Sequence, residues 1–68
     1  MMADPAWVLK DGSPVACREK LKVLEENQAE LLQVMQDAFE DAMLMGVDED
    51  AMRQKLTVLV ASLRSPLQ

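Results

Sequence analysis

A chain of 68 residues, half of them apolar, has room for one small domain and too much apolar content to stay disordered. Its net charge of −5 opposes the phosphate neutralisation that nucleic-acid binding rests on. One cysteine excludes an intrachain disulfide, and the lack of histidine removes the commonest metal ligand and general base. A core this small rarely stabilises a fold by more than about 3–5 kcal/mol, and of the usual staples oligomerisation is the one expected.

The opening MMADPAWVLKDG carries the turn signals Asp4-Pro5 and Asp11-Gly12. Between them Trp7-Val8-Leu9-Lys10 is too short for an independent strand. Residues 1–12 are therefore expected to form an extended arm with one β-turn. The arm lacks the basic and apolar regions of a signal peptide, and no later run approaches the ~18 apolar residues of a membrane span. A soluble cytoplasmic protein is expected. Trp7 is the only tryptophan. Its size predicts packing on the end of a helical bundle; the alternative is an anchor for a partner, a role in which tryptophan is enriched.

Ser13-Pro14 reads as a helix start, with serine at N-cap and proline at N1. From Pro14 to Met45 there is no further glycine or proline, and good helix formers dominate. The first helix is placed at 14–45. Gly46 stops it, as glycine does just past a helix end. Asp48 caps the next helix, Glu49 and Asp50 favour its dipole, and Val47 and Met52 are spaced as a hydrophobic staple. The turn is 46–48, the second helix runs to about Arg64, and Ser65-Pro66 ends it. Residues 13–65 make the hairpin and 66–68 a tail.

In the first helix Leu21, Leu24, Gln28, Leu31, Met35, Ala38, Ala42 and Met45 alternate by three and four, a heptad seam with one polar break. Before residue 30 the stripe is narrow, with Val23 beside it; afterwards Leu32, Val34 and Phe39 widen it, as two or more neighbours require. Met52, Leu56, Leu59 and Leu63 form the second helix's seam, with Val58 and Val60 beside it. Folded back, that helix covers the first from about residue 45 to about 30. Leu21, Val23 and Leu24 are then uncovered, and an open apolar seam marks an association surface. The expected fold is all-α: a helical hairpin, long helix then short, assembling as a homodimeric four-helix bundle. Leu21, Leu24, Gln28, Leu31, Leu32 and Met35 are assigned to self-association, with Gln28 as a candidate register-setting polar residue.

Charge is partitioned along the chain. Residues 1–22 hold four basic and three acidic groups, 23–52 nine acidic and no basic, and 53–68 three basic and no acidic. Arg53 and Lys55 are placed to pair with Asp41 across the hairpin. Arg18, Lys20 and Lys22, with Trp7, are candidate contacts for a partner, either a second copy or another protein.

Cys17 sits four residues before Leu21, which predicts a buried structural cysteine. Its nearness to a helix start, Arg18 and Lys20 also permits a reactive thiol. Met43 and Met45 point some 200° apart on a helix and suit core filling better than a shared metal ion. Asp37, Glu40 and Asp41 share one flank without a histidine or a facing acid, and Asp48-Glu49-Asp50 lacks a calcium loop's glycine and closing glutamate. No catalytic signature, cofactor motif or metal set is present, so a non-enzyme is expected. The function expected is a self-associating adaptor, accessory factor or regulator. The alternatives are a thiol- or metal-dependent sensor or carrier centred on Cys17 at a dimer interface and, against the charge balance, a nucleic-acid regulator using Arg18, Lys20 and Lys22.

Overall fold

A computed structural model describes residues 5–67, so residues 1–4, with the Asp4 of the expected Asp4-Pro5 turn, and Gln68 of the expected tail lie outside the described residues. Two helices follow in order, α1 over Arg18–Leu44 and α2 over Glu49–Ala61. Among the described residues there is no strand, only an isolated bridge between Val8 and Pro14. The chain is an all-α helical hairpin, long helix then short. Its contacts divide into two compact units, 1–33 and 34–68.

The first unit corrects the expected helix start. Leu9 N–H donates to Ser13 O at 2.7 Å, Gly12 N–H to Leu9 O at 2.9 Å, and Val15 N–H to Trp7 O at 3.0 Å. Lys10, Asp11 and Gly12 thus form a three-residue hairpin loop, and Gly12 at φ 89° supplies its left-handed position. Asp11 Oδ1 accepts from both the Ser13 amide, at 2.9 Å, and its hydroxyl, at 2.6 Å. The Ser13 hydroxyl is committed to Asp11, and the Ser13 carbonyl closes the arm's hairpin by accepting from Leu9 N–H. Ser13 cannot cap α1, which begins four residues later than Pro14. The first intrahelical bond, Leu21 N–H to Cys17 O at 2.9 Å, makes Cys17 the N-cap.

The second unit holds the hairpin turn. Val47 N–H donates to Ala42 O at 3.0 Å and Gly46 N–H to Met43 O at 3.1 Å, a Schellman pair with Gly46 at φ 86°. Asp48 then caps α2, its Oδ2 accepting from Ala51 N–H at 2.9 Å. At the far end Ser62, rather than Ser65-Pro66, stops the helix: its Oγ donates to Leu59 O at 2.7 Å and Leu63 N–H turns back to Val60 O.

Packing in this unit is thin. Ala42, 7 % exposed, is the one buried side chain among the described residues. Phe39 and Met43 of α1 and Met52 and Leu56 of α2 are half-buried. The expected contact stripe ran through Ala38, Ala42 and Met45; Ala38 is exposed and Met45 is 77 % exposed. A straight helix drifts about 20° per heptad from a strict 3.5-residue repeat, which carries the buried stripe round to Phe39 and Met43. Met45 lies past the end of α1, where the Schellman turn redirects the chain.

Candidate functional site

The arm covers the part of the α1 seam that was expected to be open. Trp7 is half-buried, and so are Val15, Leu21 and Leu24. Trp7 stands between two shallow grooves of about 460 and 440 Å³, one reaching Glu25, Ala29 and Leu32 and the other Leu24, Asn27 and Leu31, with Gln28 lining both. Gln28 and Trp7 therefore line the same two grooves. The chain supplies this cover itself because the hairpin turn at Asp11-Gly12 sends Trp7 back alongside Val15. Val23 alone of the expected trio stays open, at 56 %.

Beyond Trp7 the apolar face is exposed. Leu31 is 61 %, Leu32 60 % and Met35 38 % exposed, with Val34 beside them. In α2 Met52 and Leu56 are half-buried, while Leu59, on the same face, is 61 % exposed. Leu63, just after the C-cap, is also open.

The basic candidates do not form one patch. Arg18 and Lys22 flank Leu21 in a groove they share with Glu25 and Glu26. Lys20 lies instead on a groove of about 440 Å³ walled by Leu9, Val15, Val23 and Leu24, with Glu19 at its rim. Each basic side chain has an acid near it, so no concentrated positive surface results. Arg53 does not reach across to Asp41 as expected. Its guanidinium pairs with Glu49 at 3.4 Å within α2 and lies over the Phe39 ring.

Cys17 is exposed, which corrects the expectation of a buried cysteine. Its sulfur accepts from the backbone N–H groups of Lys20 and Glu19, and these bonds, with the Lys20 charge, hold the thiol below its ordinary pKa. No helix among the described residues is long and apolar enough to cross a membrane.

Two features escape a reading by helical periodicity. One is the arm as a cover, whose available signal was Asp-Gly between Trp-Val-Leu and Ser-Pro-Val. The other is the early end of the helix–helix contact, for which the sequence carries no local signal. No known family model matches the sequence, and no curated protein or solved structure is detectably similar to it.

Proposed function

We propose that this chain is a small protein-interaction module, an adaptor, accessory factor or regulator, that self-associates through the apolar face of α1. The exposure of Leu31 and Leu32, in a chain where Ala42 is the one buried side chain among the described residues, carries this reading. Each leucine, fully buried, stabilises by about 1.5–3 kcal/mol. Ordering the backbone costs about 1–2 kcal/mol per residue, which such a core offsets poorly. A second chain over Leu31, Leu32 and Met35 supplies the missing burial. Leu21, Leu24 and Gln28 belong to this surface only where the arm leaves them accessible. If folding is coupled to association, the melting temperature rises with chain concentration. Helicity measured by circular dichroism over a hundredfold dilution series tests this, and a melting temperature that does not move argues for a self-sufficient monomer.

A thiol-dependent role is the second reading, supported by the exposure of Cys17 and the amides around its sulfur. It requires a covalent dimer on mild oxidation that Cys17→Ser abolishes; a nonreducing gel without that dimer removes it.

A further inference from the structure

We infer that the arm is an autoinhibitory strap: Trp7 occupies the N-terminal part of the same α1 seam that a second copy would use, and lifting it off lengthens the self-association surface. The inference rests on the self-association proposed above and concerns its regulation. Two observations carry it.

The first is that the cover and the open surface lie on one stripe. At about 100° per residue, Leu21, Leu24, Gln28, Leu31 and Leu32 fall within about 100° of arc on α1, with Gln28 near its middle. Trp7 shares one groove with Gln28 and Leu32 and another with Leu24, Gln28 and Leu31. Leu24 has the arm on both sides, since it also lines the groove walled by Leu9 and Val15. It is half-buried, whereas Leu31 and Leu32, about two turns further on, are more than half exposed. The stripe is covered where the arm crosses it and open immediately beyond. A second chain seated on Leu31 and Leu32 meets Trp7 at its edge and reaches Leu24 only by displacing it.

The second is how the arm is built. The bonds that shape it run within it, from Leu9 N–H to Ser13 O, from Val15 N–H to Trp7 O and from Ser13 to Asp11. The hairpin can therefore leave α1 as a unit with those bonds intact, turning at Ala16, which lies in irregular backbone before the N-cap. Little apolar surface is lost when it does, because Val8 and Leu9 are already exposed and Trp7 is only half-buried. Segments with few buried apolar contacts open at low cost. The fraction of chains with the arm lifted then scales the apparent affinity of the longer surface.

Sedimentation equilibrium of the full chain, of Trp7→Ala and of Gly12→Ala tests this. Gly12 closes the arm's loop at φ 89° with nothing within 4 Å of an added Cβ. Its substitution loosens the hairpin and leaves every seam side chain in place. Both variants are expected to self-associate severalfold more tightly than the wild type. In the wild type, Trp7 emission is expected to move to longer wavelength as concentration rises through the association range, because the ring leaves α1 for water. Weaker or unchanged association of both variants overturns the strap and leaves self-association standing. So does emission that shifts to shorter wavelength or stays fixed while the wild type associates, which would make Trp7 an interface anchor or an immobile cover. If neither the wild type nor either variant associates at any concentration, self-association itself fails and this inference with it.

Discussion

The guanidinium of Arg53 on α2 lies 4.8 Å from the centroid of the Phe39 ring on α1. The same guanidinium pairs with Glu49 one turn earlier at 3.4 Å. The pair with Glu49 is exposed and contributes little, so the ring is the larger part of this contact. An exposed cation over an aromatic face contributes about 0.5–1 kcal/mol. Arg53→Ala is expected to lower the melting temperature by several degrees, since about 1 kcal/mol shifts a domain of this size by about 4–8 °C. Glu49→Gln should lower it far less. Equal effects in thermal melts would place the energy in the ion pair.

Gly46 closes the hairpin turn at φ 86°, with nothing within 4 Å of the position a Cβ would take. The cost of substitution there is conformational and not steric. Gly46→Ala is expected to destabilise by about 1–2 kcal/mol, the cost of a left-handed L-residue, and urea denaturation measures it. Asp48→Ala, which removes the cap on Ala51 N–H, should cost about 0.5–2 kcal/mol.

The arm has its own pH dependence. The hydroxyl of Ser13, then its amide, donate to Asp11 and hold that carboxyl below the usual 3.8. A depressed folded-state pKa contributes stability above the unfolded value and loses it as pH falls through the folded one. The arm hairpin should therefore loosen only below the ordinary carboxylate range. Trp7, the only tryptophan, reports it by fluorescence. Ser13→Ala is expected to move the midpoint up toward 3.8, and an unmoved midpoint would dissociate the hydroxyl from the shift.

Backbone amides around Cys17 predict its reactivity. The folded chain should be alkylated by iodoacetamide with a midpoint below that of the chain in urea, because the amides of Lys20 and Glu19 converge on the sulfur only when α1 is formed. Coincident midpoints would mean that the cap is not made in solution. Cys17→Ser should preserve the helix start, since serine is among the preferred N-cap residues.

Much of the hairpin was legible because its punctuation is local. Gly46 and Asp48 act through bonds to residues three to five positions away, and those are the bonds found. The start of α1 was misplaced because Ser13-Pro14 fits a helix cap and a hairpin strand equally well. Asp11, two residues earlier, decides between them by occupying the Ser13 hydroxyl. Leu21 and Leu24 were expected to be open and lie half-buried, whereas Leu31 and Leu32, in the stretch α2 was expected to cover, are more than half exposed. Periodicity shows which face is apolar; what covers each turn of it depends on contacts distant in sequence.

We propose that α1's open face is a self-association surface. Sedimentation equilibrium of the wild type and of Leu31→Asp with Leu32→Asp tests it most directly. Both leucines are more than half exposed, so a charge there should cost a monomer little. A wild-type dimer is expected, and a variant that is monomeric with reduced helicity. A wild type that sediments as a fully helical monomer, unchanged by the two aspartates, would contradict it.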